Sequence, residues 1–262
     1  MAPFRFVSLF LALGLSACCA ASAAQTTMQP ARRATLADEK HAQAPSATKS
    51  SGAERAVSVG RTKLASGRAI ADLPQRECRR ILRNAGVQFD ALPREEAPQI
   101  ASPLALHSDL LGVQFDPANG MAKNGLVDCR LAAALLAWAP ILRDAGIERV
   151  EHYSTYRPGA RIRSTGKTSG HAHALAIDAA RFFLKDGRVL EVDVDWEERE
   201  RGGSPCPVRR SEKTDGRVLR QVVCRAVERG LFQVVITPHH DHDHQNHVHL
   251  ELVPDVSWSF IH

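Results

Sequence analysis

The sequence predicts an α+β fold, a small, mostly antiparallel sheet with flanking helices, for the second part of the chain. Apolar residues recur at helical spacing in three segments, and the segments between them alternate polar and apolar residues with the period of two of half-buried strands. The composition suits a globular protein, because 44% of the 262 residues are hydrophobic and 24% are charged. Helices beside such a sheet define the α+β class.

A glycine follows each of the three predicted helices, as expected at a helix C-terminus. The first helix covers residues 77–85, and the third covers Thr214–Glu228. The second begins after Asp128, whose side chain is expected to cap it, and its Trp138 is expected in the core. The glycines that end the three helices are Gly86, Gly146 and Gly230.

Five segments are predicted as strands from their alternation. They are residues 150–156, 174–184, 189–195, 231–237 and 247–253. The second and third are separated by a short turn that contains Asp186 and Gly187, a pair typical of tight hairpins. These two strands are therefore expected to be antiparallel neighbours.

Residues 1–23 have the parts of an export signal: Arg5, an apolar stretch and then small residues. Two cleavage sites compete. The stretch that ends at Cys18 resembles a lipobox, which would make Cys18 a lipidated first residue and a membrane anchor. The alternative is ordinary cleavage after Ala23. We favour lipidation, and either route places the protein across the inner membrane, in the periplasm or at the outer membrane.

Residues 24–76 are predicted to form a disordered basic tether, which leaves residues 77–262 as the folded domain. The net charge of +5 belongs to this tail: residues 25–76 hold nine basic and four acidic residues, whereas residues 77–262 hold 24 basic and 25 acidic. A nearly neutral domain without an aromatic-basic surface argues against nucleic acid as a partner. The simplest interpretation of the basic tether is a spacer. It could also contact anionic lipid or wall polymer.

Four cysteines follow the export signal, an even number in a chain bound for an oxidising compartment, so disulfides are expected. Three connectivities exist, and we favour the sequential one because each pair then brackets a separate segment. The pairs are Cys78 with Cys129 and Cys206 with Cys224. None of the four has the spacing typical of a zinc–thiolate site.

Six of the twelve histidines lie between His239 and His249. One interpretation is a solvated tract that binds metals opportunistically. The end of the tract is more specific, because His247 and His249 alternate with apolar residues, which places both imidazoles on one face of a strand. A zinc site needs three protein ligands, so others must come from elsewhere.

The segment SGHAHALAID, residues 169–178, supplies candidates: His171 precedes a strand and Asp178 lies within it. An unpaired carboxylate in this apolar run would cost several kcal/mol, so Asp178 needs a partner. That partner is either a metal or, in the purely structural interpretation, a cation such as Arg181.

Together, SGHAHALAID and HQNHVHLEL make residues 78–254 resemble the extensin-like C-terminal domain family of bacterial exported proteins. That family is in turn similar to the zinc peptidases grouped with lysostaphin, D-Ala-D-Ala carboxypeptidases, murein endopeptidase and the hedgehog domain. The resemblance implies a zinc-peptidase-like site on the sheet, with His171, Asp178 and His249 as ligands.

The same resemblance implies catalytic roles for three more residues. His247 would not bind the metal but would hydrogen-bond near the activated water, and His244 would be the general base, with Asp243 as second choice. Arg157 would face a substrate carboxylate or a developing oxyanion, or else only stabilise its loop.

The sequence departs from the related patterns at three positions. Ala174 stands where glycine is usual, Asn246 stands where related peptidases often carry an acid, and Tyr156 replaces a cysteine of many family members. Asn246 cannot act as a base, so metal binding is better supported than turnover.

Two function classes remain after this comparison. The first is a zinc peptidase or amidase that acts on peptidoglycan or its stem peptides. The second is a non-catalytic metal- or wall-binding module on the same scaffold. A periplasmic metal buffer that uses the whole histidine tract is a third interpretation, and it predicts several weakly held metals per chain.

Overall fold

The computed structural model describes residues 66–118, 120, 125–197, 204–207 and 213–262. The predicted export signal, the lipidation of Cys18 and the larger part of the predicted tether lie outside these residues. Within these residues the α-helices are α1 (Gly67–Ala71), α2 (Gln75–Asn84), α3 (Cys129–Asp144), α4 (Val192–Asp195) and α5 (Thr214–Glu228).

The last residues of the segment assigned to the tether, 24–76, are folded. In α1, Ile70 and Ala71 are completely buried. The helix docks closely, because the Gly67 N–H donates to Gly230 O at 2.6 Å and a Cβ at Gly67 would lie 2.2 Å from Leu231 O. The average composition of residues 24–76 is polar and basic, so a prediction from composition missed the short apolar segment at its end.

The strands form two sheets, which confirms the α+β class. The smaller sheet is antiparallel, in the order β1 (Phe89–Ala91), β2 (Pro103–Leu106) and β4 (Val127–Asp128). The larger sheet has seven strands in the order β10-β8-β9-β6-β5-β3, with β7 paired to β6. Its strands are β3 (Gln114–Pro117), β5 (Ile147–His152), β6 (Ala176–Leu184), β7 (Val189–Glu191), β8 (Val234–Ile236), β9 (Val248–Glu251) and β10 (Phe260–Ile261). Its β3–β5 and β10–β8 pairs are parallel, and the rest are antiparallel.

Helix α3 lies at the centre of the core. Asp128 caps its N-terminus by accepting the Arg130 N–H at 3.0 Å, as predicted. Trp138 is fully buried and meets the rings of Phe182 and Phe232 edge to face. Its indole N–H donates to Val222 O on α5 at 3.0 Å, so α3 holds both the sheet and α5.

The predicted hairpin between β6 and β7 is confirmed, but the strand predicted over residues 189–195 is only partly correct. Strand β7 ends at Glu191, and α4 follows at once. The Asp195 carboxylate accepts the Glu191 N–H at 2.8 Å, a local bond that stabilises the helical turn. The strand predicted over 150–156 also ends earlier, at His152.

Both predicted disulfides are confirmed. Cys78 on α2 bonds to Cys129 at the start of α3, and Cys206 bonds to Cys224 on α5. Such bonds are consistent with an extracellular or periplasmic location. Among the described residues, no helix has the length and apolar character needed to span a membrane.

Candidate metal centre

Three side chains, each from a different element, lie close together at one face of the large sheet. Strands β6 and β9 are antiparallel, and their register places Asp178 directly opposite His249. Directly opposed residues of neighbouring strands share a face, so the carboxylate and the imidazole are adjacent. His171 enters from a short 3₁₀ helix, Gly170–His173, just before β6.

Local backbone geometry brings His171 to the strand. The Ser169 hydroxyl caps the 3₁₀ helix by accepting the His171 N–H. Ala174 ends it with φ of 52°, in the left-handed region that favours glycine. The sequence comparison expected glycine here, and the reason is now clear: the chain must reverse at residue 174 to enter β6. Alanine tolerates this turn at a cost of about 1 kcal/mol.

The three candidate ligand atoms form a nearly equilateral triangle. His171 Nε2 lies 2.9 Å from Asp178 Oδ1 and 3.1 Å from His249 Nδ1, and His249 Nδ1 lies 3.0 Å from Asp178 Oδ1. All three residues are buried. Tetrahedral zinc with bonds of ~2.0–2.1 Å holds its ligand atoms about 3.3 Å apart, so only a slight expansion would seat the ion.

The outer nitrogens of both imidazoles fix which atoms face the triangle. His171 Nδ1–H donates to the Thr155 carbonyl at 3.3 Å, and His249 Nε2–H donates to Glu251 Oε2 at 2.8 Å. In the neutral tautomers the inner nitrogens therefore carry lone pairs, which point at each other and at Asp178 Oδ1. Converging lone pairs need a cation between them, and a metal ion fits this donor set.

The second oxygen of Asp178 is also engaged. Ser154 Oγ donates to Asp178 Oδ2 at 3.2 Å, and the exposed Arg157 guanidinium lies 3.6 Å from it. Arg181, the partner in the structural interpretation of Asp178, bonds to Glu151 instead. The buried carboxylate is thus held by the histidine cluster together with Arg157, and not by Arg181.

The pKa values reflect the same cluster. Burial alone would lower the pKa of His249, but hydrogen bonds with Asp178 and Glu251 outweigh it and raise the pKa to about 9. Burial would raise the pKa of Asp178, but His171 and His249 hold it well below its usual value. Burial lowers the pKa of His171. Without metal, the triangle therefore holds its balancing positive charge as a proton on His249.

His244, the predicted base, lies beside the triangle and is oriented by an acid. Asp241 Oδ1 accepts both the His244 backbone N–H at 3.1 Å and the Nδ1–H of its ring at 2.6 Å. The ring centroid of His244 lies 6.0 Å from that of His249. Asp243, the second choice for the base, lies 3.2 Å from Arg163 instead.

His247 is closer to the triangle than His244. Its Nε2 lies 3.4 Å from Asp178 Oδ1, and its Nδ1 lies 2.9 Å from Asn246 Oδ1. The Tyr153 ring meets it edge to face. Burial lowers the pKa of His247 to about 4, so its imidazole is neutral at neutral pH.

The other histidines of the tract do not join the triangle. His239 is buried beside Arg220, His240 packs against Phe260, and His242 is exposed. Among the described residues, the His171–Asp178–His249 group alone brings three ligand atoms together. This arrangement does not favour a buffer that uses the whole tract.

Sequence reasoning missed three residues that support the ligands: Thr155, Glu251 and Gly170. Glu251 could have been found, because it lies two residues after His249 and therefore on the same face of β9. Gly170 could not, since its role is to leave space: a Cβ there would lie 2.5 Å from the Glu251 carboxylate carbon.

Fold and site together define a class: an α+β domain with a buried His–Asp–His group that can hold a metal ion. The chain belongs to the family described as Extensin-like protein C-terminus, which it matches over residues 76–260. No curated protein matches the chain, and no solved structure matches it either.

Proposed function

We propose that this protein is an exported zinc-dependent peptidase or amidase that acts on peptide bonds of peptidoglycan. The observation that carries the proposal is the buried triangle of His171 Nε2, Asp178 Oδ1 and His249 Nδ1, with an Asp–His pair beside it. Two imidazoles and one carboxylate, with a further position open, are the ligand set of zinc hydrolases.

Zinc held by this set would polarise the scissile carbonyl and lower the pKa of water towards ~7. Residues of the chain would carry out the proton transfers. The Nδ1–H of His244 donates to Asp241, so in the neutral ring Nε2 carries the lone pair that would accept a proton from the attacking water. The same nitrogen then returns the proton to the leaving amine.

Arg157 and His247 would position the substrate. The Arg157 side chain is 54% exposed and lies 3.6 Å from Asp178, so its guanidinium can reach both the site and solvent. It would pair with a substrate carboxylate or with the oxygen that gains charge. His247, neutral and beside Asp178, would hydrogen-bond to the attacking water.

The proposed location supports peptidoglycan as the substrate. Two disulfides fit an oxidising compartment. The export signal, with or without a lipid on Cys18, and the basic tether would deliver the domain to the wall, since a random coil of ~40 residues averages about 35 Å end to end.

Metal content and hydrolysis test the proposal together. The purified protein should contain about one zinc per chain, and His171→Ala and Asp178→Ala should lose it. His242→Ala is the matched control, because His242 is an exposed histidine of the same tract. The metal-loaded protein should release new products from muropeptides, and a chelator should stop this. Absence of products with metal-loaded protein contradicts the proposal.

His247 favours a second candidate, a non-catalytic metal- or wall-binding module. Its Nε2 already lies 3.4 Å from Asp178 Oδ1, and as a fourth ligand it would close the site, as in structural zinc sites. Asn246, which replaces an acid, fits this candidate. His247→Ala separates the two: zinc affinity should hardly change in the peptidase but should fall at least tenfold in the closed module.

A further inference from the structure

A positively charged hairpin borders the candidate metal centre, and apart from its first residue, Arg157, it takes no part in the mechanism proposed above. It comprises residues 157–168, here called the cationic arm. The arm contains four basic residues and no acidic one, although residues 77–262 as a whole are nearly neutral. Its basic residues are Arg157, Arg161, Arg163 and Lys167.

The arm is an ordered projection. Arg161 and Thr168 form an antiparallel bridge, and the Ile162 N–H donates to Lys167 O at 2.8 Å. Residues 161–168 are all exposed. Arg161 also supports the turn, because its Nη1 donates to Gly166 O at 2.9 Å.

Both ends of the arm are fixed at the candidate site. At its start, the Arg157 N–H donates to His171 O at 2.9 Å, and at its end the chain continues through Ser169 into His171 itself. The Arg163 guanidinium lies 3.2 Å from Asp243, the residue before the proposed base. The positive charge is thus held along one side of the metal centre.

We infer that the cationic arm binds carboxylates of an anionic polymer, outside the bond that is cleaved. The inference deepens the proposed function, on which it rests for the role of the site. Guanidinium groups match carboxylates with paired hydrogen bonds. Each exposed pair is weak, so useful affinity requires several contacts at once, as a polymer with repeated carboxylates provides.

Binding of polyglutamate, a soluble polycarboxylate, tests the inference without any need for turnover. The double variant Arg163→Gln/Lys167→Gln should bind about tenfold more weakly than the wild type at low salt, and the difference should shrink at high salt. Arg161 stays intact because it also supports the turn. The charge-conserving variant Arg163→Lys/Lys167→Arg should stay within about twofold of the wild type.

A second control removes equal charge elsewhere. Arg76 and Lys185 are exposed, and Lys185 follows the far end of β6 from Asp178. Arg76→Gln/Lys185→Gln should bind polyglutamate as the wild type does. The inference is overturned when both charge-removing variants bind alike, or when the wild type binds anionic lipid vesicles but not polyglutamate.

Peptidoglycan sacculi separate this inference from the proposed function. When the arm acts as inferred, Arg163→Gln/Lys167→Gln should raise KM for sacculi several-fold and leave kcat nearly unchanged. Weaker polyglutamate binding by this variant, without hydrolysis by the wild type, supports the inference about the arm and contradicts the proposed peptidase function. Hydrolysis by the wild type, with KM and polyglutamate binding unchanged in this variant, would support the peptidase and contradict the role of the arm.

Discussion

The decisive residue-scale feature is the direction of the lone pairs. Thr155 O and Glu251 Oε2 each accept the outer N–H of one imidazole, so His171 Nε2 and His249 Nδ1 both face Asp178 Oδ1. The arrangement needs a positive charge at its centre, which a proton on His249 supplies in the absence of metal and which a metal ion would supply when bound. Supporting hydrogen bonds of this kind typically set metal affinity as strongly as ligand placement does.

Gly170→Ala should weaken zinc binding although residue 170 offers no ligand. The new Cβ would lie 2.5 Å from the Glu251 carboxylate carbon and would displace that group from His249. We expect affinity to fall about 10–100-fold, as for loss of a supporting partner. Titration against a competing chelator measures it, with Glu251→Gln for comparison and His242→Ala as control. Unchanged affinity in Gly170→Ala would show that Glu251 can move at little cost.

His152 should make the metal-free protein sensitive to acid. Burial lowers its pKa to about 4, whereas in the unfolded chain the pKa is about 6.5. At pH values between these two pKa values, His152 is protonated in the unfolded chain but neutral in the folded protein. The free energy of unfolding should therefore fall as the pH is lowered from about 6.5 to 4, by at most ~1.4 kcal/mol per pH unit for this group.

Urea unfolding at several pH values checks this expectation by comparing the wild type with His152→Leu. His152 lines a cavity of about 280 Å³, which leaves space for a leucine. The stability of the variant should depend less on pH in this window, and His173→Gln, which changes an exposed histidine, should behave as the wild type. Parallel profiles for wild type and His152→Leu would assign the acid sensitivity to other groups.

At the scale of elements, α5 holds the loop residues that precede it, Glu197 and Pro205, and the first residue of the histidine tract, His239. Arg220 is fully buried and its guanidinium donates to Pro205 O at 2.5 Å, to Glu197 O at 3.2 Å and to His239 Nε2 at 3.3 Å. It also lies over the Trp196 ring. The Cys206–Cys224 disulfide ties the same loop to the same helix. The start of the tract is therefore anchored to the core.

Arg220→Met should destabilise the domain by roughly 3 kcal/mol, because the buried Pro205 carbonyl and the partly buried Glu197 carbonyl lose a charged donor. Chemical denaturation measures the loss. Arg229→Met, at the exposed end of α5, is the control and should change stability by less than about 0.5 kcal/mol. A similarly small effect of Arg220→Met would mean that the disulfide alone holds the loop.

On the scale of the whole molecule, the candidate site joins distant parts of the chain. The ligand residues lie on the Gly170–His173 helix, β6 and β9, and β6 is also the strand that pairs with β5 and β7. A metal at this point would bind the folded state and not the unfolded chain. Binding free energy would then add to the stability of the domain.

Zinc should accordingly raise the Tm of the metal-free protein. At a free concentration 100 times Kd the gain is about 2.7 kcal/mol. Differential scanning calorimetry with and without zinc measures it, and His171→Ala should show little or no gain. Equal gains in the wild type and in His171→Ala would indicate that zinc binds elsewhere on the chain.

Much of the fold could be predicted from local patterns. The α5 bounds, the Asp128 cap and the β6–β7 hairpin follow from periodicity, capping chemistry and turn residues, because each depends on neighbours in sequence. Both disulfide pairs follow from the sequential connectivity, in which each pair brackets a separate segment. Strands β1 to β4 and β10 were not predicted. They are two to four residues long, and pairing with other strands of the sheets, rather than a local pattern, defines them.

For the candidate site, the sequence by itself determined the residue types: the cost of a buried carboxylate singles out Asp178, and the resemblance to a known family adds His171 and selects His249 rather than His247. Only the tertiary structure decided that they converge, because the register of β6 against β9 depends on contacts across some 70 residues of chain. The supporting roles of Thr155, Glu251 and Gly170 were decided there too. A backbone carbonyl, a second carboxylate and an absent side chain carry no sequence signal until the fold places them within hydrogen-bonding distance.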